Sequence, residues 1–291
     1  MIKVVVIANC QAVPISRYIQ QLSNEVEVIE AGVVLFLNDS KRDYFQKKFE
    51  EADYIIAQQI NSNYPCQFVT TESLLKDYSS KVISIVNLFF SGYNPELRYI
   101  RMAEKGVLRG PLEDYHIHAI IDGYKAGLSV PETVALYSDF DYNEKRYKNS
   151  IHNSLDELRS RDSRTELQIS DYIQDNLSKS KLFHTMNHPS EELLIKYSQM
   201  ILSKIGVNYS YPSEVEKTES LAQITLPSNP YIVDTLKDFS DSHKVYKGRN
   251  VVFDENGVIK ANGLKHYSLD ELIEVYFEVY DKYPSILENL T

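Results

Sequence analysis

Asn9-Cys10-Gln11 carries the strongest chemical signal in the chain. A cysteine flanked by two amides follows an apolar β-branched run. It therefore stands where an open parallel sheet presents its ligands, beyond the carboxyl end of a strand and before the next helix. Backbone N–H groups at such a helix start lower a thiol's pKa and bind an oxyanion. Cys10 is thus expected to be an activated thiolate, with the backbone N–H groups near Gln11 and the Asn9 amide holding the oxyanion. The bland reading, a small buried hydrophobe, is a common fate of free cysteine but leaves the two amides unexplained. Ala8 to Val13 contains no glycine, so a dinucleotide phosphate turn is not expected.

A second cluster is Phe183-His184-Thr185-Met186-Asn187-His188-Pro189. Pro189 is expected to start a helix ending near Gly206 and to hold His188 extended at its entrance. A neutral imidazole there can take the proton of a thiol or of an acceptor hydroxyl, with His184 and Asn187 orienting it. The His184–His188 spacing would allow a shared metal on a helix, but Pro189 argues against a helix there and no metal is expected. A third segment, Ser91-Gly92-Tyr93-Asn94-Pro95-Glu96, has a glycine permitting close backbone approach and a proline that predicts a helix start. On that helix Arg98, Arg101 and Lys105 would share one face, with Arg109 just beyond. Such a stripe suits phosphates, or is simply a solvated face. In Tyr115-His116-Ile117-His118 the two histidines would point to different faces of a helix, and each reads as structural.

The elements that must position these residues follow from hydrophobic period. Val4–Ala8, Val26–Ile29, Tyr54–Ala57 and Val82–Phe90 read as strands, and the first ~110 residues alternate strand and helix as βα units do. Pro14 is expected at the first position of a helix carrying Ile15, Tyr18, Ile19 and Leu22 on one face. Ser40–Glu51 reads as a second helix. From Pro111 to Gly206 the pattern is mainly helical. One stripe is Ile117, Ile120, Ile121 and Tyr124, ended by Gly127; another is Tyr147, Ile151, Leu155 and Leu158. Ser129-Val130-Pro131-Glu132 and Ser268-Leu269-Asp270-Glu271 are capping boxes, the latter opening a last helix through Tyr280. Asn250–Ala261 reads as a hairpin turning at Glu255-Asn256-Gly257. The expected fold is α/β: a Rossmann-like parallel-sheet core (1–110) with the Asn-Cys-Gln turn, a mainly helical lobe (111–206) contributing His188, and a C-terminal extension (207–291) of open role, unless all form one compact domain.

Composition narrows the function classes. A net charge of −10 argues against general nucleic-acid binding, so an anionic ligand needs a local cationic patch. The two cysteines are too few for a disulfide framework or a four-ligand zinc site. No apolar run nears the ~20 residues that span a bilayer, and the first is too short for a signal h-region, so a cytoplasmic location is expected. Tyrosine is frequent, at 22, and would serve either a sugar- or nucleotide-binding cleft or the core.

Together these segments resemble the WcbI-type polysaccharide-biosynthesis enzymes, a bacterial family implicated in acetylating capsular sugars and binding coenzyme A. The resemblance rests on Asn9-Cys10-Gln11, Ser91-Gly92-Tyr93-Asn94-Pro95-Glu96, Asp114-Tyr115-His116 and Asn187-His188-Pro189, in order over about residues 1–205. Ala8 departs from the glycine common before the Asn-Cys-Gln run. What the resemblance implies is acetyl transfer from acetyl-CoA, as acyl donor, to a sugar or glycan hydroxyl. Cys10 would act as nucleophile or thiolate stabiliser and His188 as general base. Gly92, Tyr93, His116 and the cations Arg98, Arg101, Lys105 and Arg109 would lie along the CoA. The same groups would serve a thioesterase or a sugar deacetylase, and a non-catalytic CoA- or nucleotide-binding module is a third possibility. The sequence leaves the acceptor, the acyl group and the oligomeric state open.

Overall fold

The structure is a computed structural model and describes residues 1–102, 106–210, 215–237, 239, 241, 243–254 and 259–284. Strand and helix alternate first: β1 (Ile2–Ala8), α1 (Ala12–Leu22), β2 (Val26–Val33), α2 (Arg42–Glu51), β3 (Tyr54–Gln58), α3 (Thr71–Tyr78) and β4 (Val82–Ile85). Short strands follow: β5 (Leu97–Tyr99), β6 (Arg101–Met102), β7 (Gly106–Val107) and β8 (Tyr115–Ile117). Helices come next: α4 (His118–Lys125), α5 (Val130–Ser138), α6 (Phe140–Tyr147), α7 (Ser150–Asp162) and α8 (Ser170–Asn176). The chain ends with β9 (Phe183–Thr185), β10 (His188–Pro189), α9 (Glu191–Lys204), α10 (Pro230–Thr235), β11 (Tyr246–Phe253), β12 (Ile259–Tyr267) and α11 (Leu269–Asp281). Among the described residues no helix is long and apolar enough to cross a membrane.

Two compact units share the chain. The first takes residues 1–89, 155–176 and 187–221; the second takes 90–154, 177–186 and 222–291. Neither is a single run of sequence.

The first unit is built on a parallel sheet in the order β2-β1-β3-β4. Val4 to Ile7 are fully buried, as a central strand covered on both faces requires. Val5 and Ile7 join Phe45, Phe49, Phe68 and Leu74 in one apolar cluster, which also takes in Cys66. The alternate residues Val4 and Val6 face the other side. There α1 packs on α9, and both helices bury apolar stripes. The α/β expectation holds, with three local corrections. Pro14 is the third residue of α1, still within the first turn, where a missing N–H costs nothing. The fourth strand stops at Ile85 instead of Phe90, because Asn87 and Leu88 turn their polar groups to Arg161 and Gln11. Pro189 lies in β10, and Ser190, accepting from the Leu193 N–H, is the residue that caps α9.

In the second unit β5 pairs antiparallel with β8, β6 with β7, and β11 with β12. The helix expected after Pro95 is absent. Arg98 sits in β5 opposite His116, and Arg101 lies in the separate strand β6, so the helical cation face does not form. The aromatic and β-branched Tyr99 and Ile100 favour extended chain over helix. Lys105 lies outside the described residues. The 147–158 stripe is divided between α6 and α7. Both capping boxes form, at Ser129–Glu132 and Ser268–Glu271. The C-terminal hairpin is longer than expected, and its turn, 255–258, lies outside the described residues. The tyrosines serve the core: Tyr93, Tyr267, Tyr276 and Tyr280 are among the largest fully buried side chains.

Candidate active site

In the sheet order, β1 is flanked by β2 on one side and β3 on the other, so the chain reverses its winding at the β1/β3 crevice. Ligands of open α/β sheets bind at such a point, beyond the carboxyl ends of the strands. Asn9, Cys10 and Gln11 form the turn leaving β1 at this crevice. The Asn9 N–H donates to Gln58 Oε1 (3.0 Å) at the end of β3, which pins the turn to the neighbouring strand.

Asn9 also shapes the turn from within. Its Oδ1 accepts the Gln11 N–H at 3.0 Å, and its carbonyl accepts the Ala12 N–H at 3.0 Å. Two backbone donors expected to face an oxyanion are thereby used inside the turn, which corrects the role assigned to the Gln11 N–H.

Gln11 is 1% exposed, and its side chain is a clamp. Its Nε2 donates to the Leu88 carbonyl (2.8 Å) and the Asn187 carbonyl (3.1 Å), and its Oε1 accepts the Leu88 N–H at 3.0 Å. One buried amide thus ties the β1 turn to the chain after β4 and to the residue preceding His188. The helices agree with this. The Ser210 N–H reaches the Leu22 carbonyl at 2.7 Å, so α1 and α9 are joined at their far ends while Gln11 and Asn187 join their starts. The two segments carrying Cys10 and His188, both half-buried, are therefore brought together within the first unit.

The electrostatics differ from expectation. Burial pushes the Cys10 thiol above its ordinary value, and the nearby N–H of Cys10 itself offsets this only in part. The reason is positional. Cys10 precedes the N-cap residue Gln11, and the first amides of the helix bond to Asn9 rather than to sulfur. The resting form at neutral pH is the thiol. Cys66 is also pushed up by burial and belongs to the apolar cluster.

The remaining expected residues fall in the second unit, apart from Asn187, which reaches the Gln11 clamp through its backbone. His184 is buried in β9, with its ring edge-on to His243 at 6.0 Å between centroids. Tyr93 is 1% exposed, stacks on Phe239, and sets its hydroxyl 2.9 Å from the Leu177 carbonyl. Gly92 makes room for a ring, not a ligand: a Cβ there would meet Phe90 Cζ at 2.1 Å. His116 is fully buried, its Nδ1 3.0 Å from the Tyr280 hydroxyl and its Nε2 2.9 Å from the Leu108 carbonyl. Burial lowers its pKa to about 4, so it is a neutral core histidine and the cofactor role expected of it loses its basis. Arg109 is exposed and pairs with Asp114 at 3.1 Å. Arg98 is half-buried and Arg101 exposed, on different strands. Gln58 and Leu88 were missed by the sequence reading, although the amides Gln58 and Gln59 closing a strand repeat the signal that marks Asn9 and Gln11.

A family model described as "Polysaccharide biosynthesis enzyme WcbI" matches residues 3–210. No curated protein matches the chain. A solved structure of WcbI, described as a novel polysaccharide biosynthesis enzyme in its native form without a disulfide bond between coenzyme A and one of its cysteines, is similar at 16% identity and a TM-score of 0.77. The alignment covers 98% of this chain and 92% of that one, so the shared fold extends beyond residue 210. With more than half of its length matched, the chain belongs to the WcbI family of polysaccharide-biosynthesis enzymes.

Proposed function

We propose that the protein transfers an acyl group, acetyl in the simplest case, from acyl-coenzyme A to a sugar hydroxyl during assembly of a surface polysaccharide such as a capsule. The observation that carries this reading is the Gln11 clamp, which holds the Cys10 turn against the residue preceding His188. Family membership supports a polysaccharide substrate, and the pairing of coenzyme A with a cysteine in the description of the solved WcbI structure supports the donor.

In this reading a neutral thiol, Cys10, is served by the imidazole of His188. His188 takes the Cys10 proton as sulfur attacks the thioester carbonyl, because the raised thiol pKa leaves little thiolate in advance. The oxyanion is assigned to the Cys10 N–H, which already acts on its own sulfur. The CoA thiolate leaves and recovers the proton from His188, giving an S-acyl Cys10. The sugar hydroxyl then gives its proton to His188 and attacks this thioester, and the Cys10 sulfur departs and is reprotonated.

Incubating the protein with acetyl-CoA without acceptor tests the reading. An acetyl mass increment on the Cys10 peptide, lost when a sugar acceptor is added, is the expected result. Full transferase activity in Cys10→Ala would refute the covalent route.

A further inference from the structure

With the helical stripe of Arg98 and Arg101 gone, the cations of the first unit take on new weight. A cavity of about 430 Å³ opens at the carboxyl ends of β3 and β4, lined by Gln59, Asn61, Thr71, Asn87, Arg161 and Arg164 among others. This is within the size range of small-molecule sites. Among the described lining residues two are cations and none is an acid, in a protein of net charge −10.

Arg161 is built into the wall. Its Nη1 donates to the Asn87 carbonyl (3.0 Å) and to Asn87 Oδ1 (2.7 Å), and its Nη2 donates to the Phe89 carbonyl at 2.9 Å. Among the described residues its buried Nε has no hydrogen-bond partner, and the exposed Glu157 carboxylate stands 4.0 Å away. The neighbouring Arg164 is exposed, and its Nε donates to the Ser160 carbonyl. Burial and the Arg164 charge both lower the Arg161 pKa, against the pull of Glu157 and Asp162. Two guanidiniums lining one cavity favour an anion there. Thr71, the first residue of α3, adds the positive end of a helix.

The cavity adjoins the candidate active site. Gln59 follows Gln58, which holds the Asn9 turn, and Asn87 precedes Leu88, which Gln11 clamps. We infer that this cavity binds the phosphate ester of a substrate, with Arg164 as the mobile cation and Arg161 as the fixed one. The inference deepens the acyl-transfer reading and rests on it for the choice of probes. The phosphate belongs either to the CoA donor or to a nucleotide-linked sugar acceptor.

Titration calorimetry with CoA, pantetheine and a uridine-diphosphate sugar separates these sources, using the full-length protein, Arg164→Gln and Arg161→Lys. Arg164→Gln changes an exposed side chain and should fold normally. It is expected to weaken whichever phosphorylated probe occupies the cavity by roughly tenfold or more, and less at high salt, as loss of a charge-assisted contact does. Pantetheine, which lacks phosphate, should be unaffected. A loss confined to CoA assigns the cavity to the donor; a loss confined to the nucleotide sugar assigns it to the acceptor. Binding of both that is equal in the wild type and the two variants overturns the inference, as does failure of both phosphorylated probes to bind the wild type. Acetylation of Cys10 by acetyl-CoA is read separately, so the acyl-transfer reading stands or falls on its own measurement.

Discussion

Gln11 offers the sharpest test of how the candidate site is held. Gln11→Ala removes three hydrogen bonds at once and leaves the Leu88 N–H, the Leu88 carbonyl and the Asn187 carbonyl without their partner. Each buried group so abandoned costs ~1–3 kcal/mol, carbonyls toward the low end, which makes the sum roughly 3–5 kcal/mol. For a unit of this size that corresponds to a fall in Tm of roughly 6–20 °C. Gln11→Glu keeps the shape but sets a carboxylate oxygen against two carbonyls, so it should be at least as damaging. Calorimetry reads the stability, and iodoacetamide labelling of Cys10 reads the local geometry. Both variants should label faster than the wild type, because the turn loosens and the half-buried sulfur becomes accessible. A Tm within roughly 1 °C of wild type, together with unchanged labelling, would show that the clamp holds nothing.

Three further outcomes are expected. Burial holds the Cys10 thiol above its ordinary value, so little of it is thiolate at pH 7. Its alkylation rate should therefore climb through an alkaline midpoint, and a plateau already reached at pH 7 would contradict this. In the second unit, burial pushes the Glu96 carboxyl up to about 7 against the hydrogen bond from Asn94. A carboxyl raised on folding favours the native state at low pH, and this contribution is lost as pH rises from about 4.5 to 7, amounting to ~3 kcal/mol. Urea unfolding of wild type and Glu96→Gln at pH 5 and pH 8 should show the difference, since the opposite slopes of the neutral His116 and His118 cancel between them; equal slopes would refute it. Gly92→Ala places a methyl carbon on the Phe90 ring and should destabilise by ~1–3 kcal/mol in the same assay, whereas a neutral effect would mean the ring moves freely.

The sheet was legible because its strands are short apolar runs at βα spacing, and the helix starts because Ser129–Glu132 and Ser268–Glu271 spell out reciprocal caps. Asn9-Cys10-Gln11 was legible by position, since a polar triplet closing a buried strand has few structural uses. What each member does was not. Gln11 looked like an oxyanion group, but its partners lie far along the chain, and no local pattern announces a bond to residue 187. The Arg98–Arg101 stripe failed because a spacing that puts charges on one helical face says nothing where Tyr99 and Ile100 draw the chain into strands. Arg161 went unnoticed because α7 is dense in charge, and on such a helix a wall-building arginine looks like its solvated neighbours.

The interleaving of the two units has a consequence for synthesis. The sheet leaves the ribosome early, yet the helix covering its α1 face, α9, comes only after nearly the whole of the intervening chain. Until then the apolar stripe of α1 lacks its cover. Gln11 must wait for a partner 176 residues away, an interval of roughly 10–35 s at common rates of translation. The nascent chain therefore carries an uncovered apolar surface for much of its synthesis, and the candidate site cannot form until Asn187 has been made. A message that stalls before residue 187 would leave the apolar stripe of α1 bare, a chain destined for chaperones or proteases instead of a smaller working enzyme.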